Sequence, residues 1–332
     1  MLISPRFVRS NFNLQKNVCS ILSHNKKYLV VFLIPLLIIL TSCDSDTINS
    51  PSPFVEIDDN SYNIAYEDSV IFNSNRILGY TNIQIGSING TGIRNLCDSL
   101  VSFDGSWSPN KRKIIFIGSS ITSSYTDWGI YQINLKDYKL TRLLPNETSV
   151  SNVAYAPNNN LIAYTIYIPS QVGYKIKVYN VNTGAVIDAS DWINYNINTL
   201  SWSPDSRKIL IDDGFVLDIY TKTITSLFSF QNSQIFLPTW SPDGNKISFS
   251  AINGIWNNIY IHDLTTNETK LLYEQPYFQY TSSWSKDGQQ IIFDQRGPGN
   301  ANDYLCKINI DGTNFTQITD ASAKDWNPCW FK

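Results

Sequence analysis

Side chains that could carry acid–base or nucleophilic catalysis are few in this sequence. A Ser-His-Asp arrangement needs a histidine as its general base, and the 332 residues contain only His24 and His262. His262 lies in a strand-like segment without a recognisable partner motif. Two histidines are also too few for a metal site with several imidazole ligands. The sequence therefore predicts no catalytic residue, no metal, no cofactor and no enzymatic activity.

Carboxylates are numerous, but many of them occupy equivalent positions in a recurring short motif. Asp205, Asp243 and Asp287 each stand three residues after a tryptophan, in variants of the sequence Trp-Ser-Pro-Asp-Gly. Aspartate at such a position commonly hydrogen-bonds the backbone of its own turn. A glycosidase pair is defined by the separation of two carboxyl groups, which the sequence does not provide. We interpret these aspartates as turn residues.

The residue with the clearest predicted chemistry is Cys43. The apolar run YLVVFLIPLLIIL over residues 28–40 follows five basic residues and leads into Leu40-Thr41-Ser42-Cys43. This run is shorter than the roughly 20 apolar residues of a membrane-spanning helix and suits a signal peptide. The segment resembles a bacterial lipobox, which implies removal of residues 1–42 and membrane attachment through acyl chains on Cys43. The alternatives are a plain cleaved signal peptide and a short membrane anchor.

The chain after this leader is acidic and begins with a polar segment. The whole sequence has a net charge of −3, and removing the five basic residues of the leader leaves −8. This balance argues against a nucleic-acid partner. Residues 44–53 are rich in Ser and Pro, so we expect residues 43–59 to form the lipidated cysteine and a flexible tether. The three remaining cysteines, Cys97, Cys306 and Cys329, suggest neither a disulfide framework nor a zinc site.

The chain after the tether is organised by a repeat with a period of about 45 residues. Its anchor motif begins at Trp107, Tyr155, Trp202, Trp240 and Trp284, and a truncated copy ends at Trp330. In Ser-Pro-Asp-Gly, proline suits the second position of a type I turn, and the preceding tryptophan offers an apolar face to a neighbouring unit. Strand-like segments follow each anchor, and four short strands per unit are typical of a β-propeller.

Six anchors predict six blades. The last copy ends the chain after one strand, 326–331, and residues 69–73, 82–88 and 93–97 match the other strands of a unit. Joining both chain ends in one blade would close the ring and remove exposed sheet edges. The predicted fold is all-β, a six-bladed β-propeller of four-stranded blades over residues 60–332, closed by the C-terminal strand.

These units resemble the WD40-like PD40 repeats of TolB-type propellers, whose consensus has W-S-P-D-G, then I-x-F, then I-Y-x-x-D-x-D-G. Residues 240–263 match this consensus well, and the resemblance covers about residues 60–332. It implies the propeller fold and docking of protein partners around the central channel. TolB carries an extra α/β domain before its propeller, where only the predicted tether stands here. The resemblance therefore implies the fold and not the role in the Tol system.

One column of the repeat is rich in aromatic residues. Four residues before the anchors stand Phe103, Ser151, Asn198, Phe236, Tyr280 and Trp326. This column falls near the start of the expected innermost strand, so it could ring one mouth of the central channel. We predict Phe103, Phe236, Tyr280 and Trp326 as a platform for a peptide or sugar. The alternative is that they pack between adjacent blades as core.

Three functional hypotheses follow. The leading one is a lipid-anchored, non-enzymatic propeller of the bacterial cell envelope that faces the periplasm or the cell surface and binds a protein or peptide. The second is a carbohydrate-binding lipoprotein that serves glycan uptake. The third, a lyase or hydrolase, is disfavoured by the missing histidines. The partner, the membrane that holds the anchor and the oligomeric state are left open by the sequence.

Overall fold

The computed structural model describes residues 68–330, apart from 78, 122–126, 169–172, 232, 298 and 300. In this part, 24 short strands form six four-stranded antiparallel sheets, the blades of a β-propeller. The prediction of an all-β fold with six four-stranded blades is confirmed. The predicted leader and tether, residues 1–59, lie outside the described residues. No helix in the described part has the length and apolar character needed to cross a membrane.

The first eleven strands of the chain belong to blades 1, 2 and 3; the fourth strand of blade 1 comes from the C-terminal part of the chain. They are β1 (Ser69–Ser74), β2 (Asn82–Ser87) and β3 (Arg94–Asn95) of blade 1, β4 (Leu100–Trp107), β5 (Lys113–Ser120), β6 (Gly129–Asn134) and β7 (Leu140–Leu143) of blade 2, and β8 (Val150–Tyr155), β9 (Leu161–Ile168), β10 (Gly173–Asn180) and β11 (Val186–Asp188) of blade 3.

The other three blades follow the same plan, and a 3-10 turn, Asp212–Gly214, interrupts blade 4. They contain β12 (Ser201–Trp202), β13 (Lys208–Ile211), β14 (Phe215–Asp218) and β15 (Ile224–Ser226) in blade 4, β16 (Phe236–Trp240), β17 (Lys246–Asn253), β18 (Trp256–Asp263) and β19 (Glu268–Leu271) in blade 5, and β20 (Phe278–Trp284), β21 (Gln290–Arg296), β22 (Tyr304–Asn309) and β23 (Thr316–Gln317) in blade 6. The last strand is β24 (Asp325–Trp330).

The ring closes through strands from both ends of the chain. β24 pairs antiparallel with β1, with Val70 opposite Trp330 and Asn73 opposite Trp326, and becomes the innermost strand of blade 1. Each blade of such a ring is covered on both faces by its neighbours, which leaves only short outer edges exposed. The predicted closure by the C-terminal strand is confirmed.

The anchor motif forms the tight turn that joins the first and second strands of a blade. In the fifth blade, the N–H of Gly244 donates to the carbonyl of Ser241 at 3.0 Å, and the Ser241 hydroxyl donates to Asp243 Oδ1 at 2.5 Å. The same hydroxyl accepts the N–H of Lys246 at 2.9 Å. Glycine suits the last turn position because its φ there is 75°. We call the face of the ring that carries these turns the turn face, and the opposite face the loop face.

The turn interpretation of the motif aspartates is also confirmed. Asp205 accepts a hydrogen bond from the Ser203 hydroxyl at 2.6 Å and from the N–H of Arg207 at 3.0 Å. The Ser203 hydrogen bond holds the pKa of this carboxyl below its usual range. Asp287 has the same arrangement with Ser285. These carboxylates therefore stabilise the turns as ionised acceptors.

The hydrophobic core lies between adjacent blades. The second strand of a blade is apolar along most of its length, as in β5, because both faces of the sheet are covered. Trp284, Phe72, Phe116, Phe249 and Phe293 are among the largest fully buried side chains. Cys97 and Cys306 are buried free thiols, as expected for small core residues.

Hydrogen bonds across the blade interfaces alternate around the ring. Indole Nε1 groups of blades 2, 4 and 6 donate to the preceding blade: Trp107 to the carbonyl of Cys329 (3.1 Å), Trp202 to Ala154 (3.1 Å) and Trp284 to Thr239 (3.2 Å). The same blades carry a serine before the anchor that accepts the next anchor's N–H: Ser106 from Tyr155, Ser201 from Trp240 and Ser283 from Trp330, each at 3.0 Å. These bonds fix the innermost strands around the axis of the ring.

Candidate functional site

A cavity of about 380 Å³ lies at the centre of the ring, between the innermost strands of all six blades. The lining residues lie between the third residue before an anchor and the second residue after it. In blade 2, whose anchor is Trp107, these limits are Asp104 and Pro109. Pro157, Pro204 and Pro242 hold the same place as Pro109 in the next copies of the motif. The cavity therefore extends from the turn face toward the loop face. We call it the channel cavity.

The wall of the channel cavity combines aromatic rings with hydroxyl groups. Its aromatic members are the anchors Trp107, Tyr155, Trp202, Trp240 and Trp330. Its serine and threonine hydroxyls come from Ser106, Ser108, Thr199, Ser201, Thr239, Ser241, Ser282 and Ser283. Among the described residues of the wall, Asp104 is the single one with a formally charged side chain. Apolar walls with a few placed polar groups are typical of ligand sites.

A break in strand pairing places Asp104 in the cavity. The register of β4 against β5 shifts between Phe103 and Ser106, and Asp104 has a φ of 56°. Its freed N–H donates to Asn73 Oδ1 of blade 1 at 3.0 Å. Bulges of this kind turn a side chain away from its regular direction. Here the bulge directs the carboxylate toward the axis of the ring.

The Asp104 carboxylate joins three blades through neutral donors. Oδ2 accepts the N–H of Val153 at 2.7 Å, and Oδ1 accepts the side-chain amide of Asn327 at 3.1 Å. The surrounding protein removes water from this group and raises its pKa to about 6, an effect that the two hydrogen bonds partly offset. Asp104 is therefore mostly ionised at pH 7.

Asp212 and Asp294, each ten residues after its anchor, accept a backbone N–H from the first strand of the next blade. Asp212 Oδ1 accepts the N–H of Leu237 at 3.1 Å, and its Oδ2 accepts the N–H of Asn198 at 2.6 Å. Asp294 in the same way accepts the N–H of Asn327 at 3.3 Å. Burial raises the pKa of Asp212 to about 6. Asp212 is buried and does not belong to the wall of the channel cavity.

The predicted aromatic column lies on the innermost strands as expected. Phe103, Phe236, Tyr280 and Trp326 are all half-buried, and none of them belongs to the wall of the channel cavity. Phe103 packs edge-on against Trp128 with ring centroids 5.0 Å apart, beside the core between blades 2 and 3. The partner-binding role of the four residues stays a prediction.

Two members of that column share a network at the loop face. The Tyr280 hydroxyl accepts a hydrogen bond from Arg296 Nη2 at 3.1 Å. Asp303 lies 3.7 Å from Arg296 Nε and 3.5 Å from Lys324 Nζ. The ammonium group of Lys324 in turn lies 4.8 Å from the ring centre of Trp326. Blades 6 and 1 thus hold Tyr280 and Trp326 in one network, while Phe103 and Phe236 take no part in it.

Apolar side chains project from the same face near this network. Trp256 packs edge-on against Phe278 with ring centroids 4.9 Å apart, and the Arg296 guanidinium lies 5.6 Å from the Phe278 ring centre. Ile252 and Ile255 in the neighbouring hairpin are 52% and 75% exposed. The loop face of blades 5 and 6 is therefore an apolar surface with cations at its border.

His262 has a packing position in blade 5. It is buried, its ring stacks on Phe228 with centroids 4.5 Å apart, and Nδ1 lies 2.9 Å from the Thr269 hydroxyl. Burial lowers the pKa of the imidazole. In the described part of the chain, no group of three or more His, Cys, Asp or Glu residues is arranged to hold a metal ion.

Comparisons with known proteins agree with this architecture. Residues 225–332 match the family model of the TolB beta propeller domain, PD40. The Tol-Pal system protein TolB of Alcanivorax borkumensis is 38% identical over 61 residues, which covers 18% of this chain and 14% of that protein. The crystal structure of TolB from Acinetobacter baumannii has a TM-score of 0.67 at 17% identity and covers 79% of this chain and 66% of its own.

The same fold also occurs in an enzyme. An oligogalacturonate lyase in complex with manganese has a TM-score of 0.54 at 13% identity, over 76% of this chain and 74% of the lyase. At such identities the likeness concerns the fold alone. The protein is a six-bladed β-propeller. Residues 225–332 are similar to the TolB beta propeller repeats, so the predicted resemblance is confirmed for this part of the chain.

Proposed function

We propose that this protein is a lipid-anchored, non-enzymatic propeller of the bacterial cell envelope that binds a protein or peptide partner. The observation that carries the proposal is the channel cavity, which receives side chains from all six blades. Its volume of about 380 Å³ falls within the range of ligand pockets. The likeness to TolB-type propellers supports a protein partner, and the leader sequence ending at Cys43 supports the envelope.

The position of the chain entry is compatible with an anchor at Cys43. β1 begins at Ser69, and Val70 pairs with Trp330, so the chain enters the propeller on the turn face. The 24 residues between Cys43 and Asp68 can span at most about 80 Å. That reach allows a partner to approach either face of a tethered propeller.

Site-specific photo-cross-linking of the full chain in its own cells tests the proposal. A photoreactive amino acid would replace Lys286 or Ile255. Lys286 stands two residues after the anchor of blade 6, where blades 2 to 5 have proline, and Ile255 lies on the loop face. Ile224, exposed on an outer strand, is the matched control. We expect a discrete protein adduct from Lys286 or Ile255 and none from Ile224.

The identity of the captured material decides between the candidate functions. Mass spectrometry of a discrete adduct would name a protein partner and support the proposal. Identical adducts at all three positions, or none at any of them, would contradict it. Binding to a glycan array without any protein adduct would favour the carbohydrate-binding alternative instead.

A further inference from the structure

We infer that the channel cavity recognises a partner segment carrying a primary ammonium group, and that Asp104 is the residue that binds this group. The inference rests on the proposed function, because it assumes that the cavity takes a peptide. Its starting observation is the charge of the wall. Aromatic rings, prolines and hydroxyls make up most of it, and among its described residues a single carboxylate, that of Asp104, carries a formal charge.

No cation of the described chain neutralises that carboxylate. Both recorded donors to Asp104, the Val153 backbone and the Asn327 side chain, are neutral. Each carboxylate oxygen can accept more than one hydrogen bond, so acceptor capacity remains on both oxygens. A charge that is partly removed from water is costly unless a counter-charge or further donors reach it. A ligand cation would supply both, and the raised pKa of Asp104 agrees with an uncompensated site.

The geometry favours an ammonium group over a guanidinium or a metal ion. A guanidinium binds a carboxylate best as a fork on both oxygens in one plane, whereas the donors from Val153 and Asn327 already take one acceptor position on each oxygen of Asp104. An ammonium group needs fewer acceptor sites in a fixed plane, and the hydroxyls of Thr199 and Ser282 belong to the same wall. A metal ion would need several ligands, and the described residues contain no group of three or more His, Cys, Asp or Glu side chains arranged to hold one.

The shape of the cavity indicates how such a group arrives. Prolines and anchor rings line the end at the turn face, and Asp104 and Asn327 lie three residues before their anchors, toward the loop face. An extended chain would place apolar atoms against the rings and its charged end beside Asp104. Both a free amino terminus and a lysine side chain present this chemistry.

Selection of phage-displayed random dodecapeptides, which have free amino termini, tests the inference. The baits are the full chain in detergent micelles, the Asp104→Asn variant and the Asp212→Asn variant as matched control. Asp212 is a buried carboxylate with a similarly raised pKa that stays outside the cavity wall. We expect peptides that bind the wild type and Asp212→Asn and lose at least tenfold in affinity for Asp104→Asn.

Synthetic versions of a selected peptide then separate the two sources of the ammonium group. Acetylation of the amino terminus, or replacement of lysine by norleucine, should cost the wild type at least tenfold in affinity. The same change should have little effect on Asp104→Asn. Because this comparison uses the wild type itself, it remains decisive if the Asp104→Asn variant folds poorly.

Two kinds of failure can be told apart. Selected peptides that bind equally well after both changes would overturn the ammonium inference and leave the proposed peptide-binding function in place. Peptides that are insensitive to Asp104→Asn but depend on their amine would assign the ammonium group to a different site. A failure to select any peptide would contradict the proposed function as well.

Discussion

Asp104 and Asp212 show how two similar carboxylates acquire different positions. Asp104 accepts the backbone N–H of Val153, and Asp212 accepts those of Asn198 and Leu237. Loss of contact with water raises the pKa of both carboxyl groups to about 6. Asp104 faces the channel cavity, whereas Asp212 is buried in blade 4. At this scale, the surroundings of a carboxylate decide its role more than its chemistry does.

Asp212 should make the stability of the protein depend on pH. Its pKa rises from 3.8 to about 6 on folding, so the ionised form is penalised in the folded state. The contribution of Asp212 to the free energy of unfolding is therefore fully present below pH 4 and lost as the pH rises through 6. We expect Asp212→Asn to gain stability relative to the wild type by up to ~3 kcal/mol between pH 4 and 7.

Urea unfolding of both proteins at several pH values measures this trend. Asp205→Asn is the control with the opposite sign, because the pKa of Asp205 is lowered on folding. That variant should be most destabilised at pH 7 and least at pH 4. A constant difference between Asp212→Asn and the wild type would contradict the prediction.

Lipid attachment is predicted to depend on Cys43 alone. Cys43→Ala should abolish acylation and release the protein from membranes, because the Cys43 thiol is the predicted acyl acceptor. Membrane fractionation and mass spectrometry of the N-terminal peptide measure this. Cys19→Ala, in the same leader, is the matched control and should leave attachment unchanged. Membrane attachment that survives Cys43→Ala would exclude lipidation at this residue.

The aromatic column should divide into core and surface members. Phe103→Ala removes a ring that packs on Trp128 beside an inter-blade core, so we expect a loss of about 2–4 kcal/mol in stability. Tyr280→Phe removes only the bond from Arg296, at a cost of about 1 kcal/mol. Chemical unfolding measures both. If Tyr280 binds a partner, Tyr280→Ala should weaken binding more than it lowers the melting temperature.

The turn between the first two strands of a blade is the element that the sequence describes best. In blade 5 the side-chain hydrogen bonds of this turn join residues between Ser241 and Lys246, a stretch of six residues. The motif itself therefore contains the contacts that stabilise it. Strand order and ring closure followed from counting these turns. Local contacts are visible in a sequence because no distant part of the chain is needed to make them.

Blade 3 offers a test of this element, because Ala156 stands where the four other complete copies of the motif have serine. Ser241→Ala should cost about 1 kcal/mol through loss of the bonds to Asp243 and Lys246. Ala156→Ser should gain a similar amount, since Asn158 already occupies the acceptor position. Thermal and urea unfolding of both variants measures these changes in stability. A stabilising effect of Ser241→Ala would contradict the assigned role.

The wall of the channel cavity could not be predicted in the same way. Asp104 depends on Val153, 49 residues away, and on Asn327, 223 residues away, and on a bulge that has no local sequence signal. The predicted site was the aromatic column, which stands one position earlier in the repeat than Asp104 and Asn327. Asp104 and Asn327 stand in the column three residues before the anchor. That column could have indicated the wall of the cavity, but its residue types vary between blades.

At the scale of the whole molecule, stability depends on the pairing of β24 with β1. Removal of residues 325–332 should open blade 1 and expose the edge of β1, so that the truncated chain melts at a lower temperature and less cooperatively. Trp330→Ala alone should cost about 3–5 kcal/mol, because the ring is buried. Calorimetry of the full chain measures both effects.

A shorter truncation provides the control for this experiment. Removal of residues 331 and 332 leaves β24 intact and should leave the melting temperature nearly unchanged. A chain without residues 325–332 that still melts cooperatively at the parent temperature would contradict the role of the closing strand.

The shared blade also has a consequence for the time course of biosynthesis. Blades 2 to 6 each consist of consecutive strands, so they can assemble in the order in which the ribosome makes them. Blade 1 instead waits for β24, which is translated after the 23 other described strands. Until then β1 has an unpaired edge, open to non-native strands and to aggregation. An unfinished chain is therefore an open ring, and a nascent chain that stalls before its last strand is a substrate for chaperones and proteases.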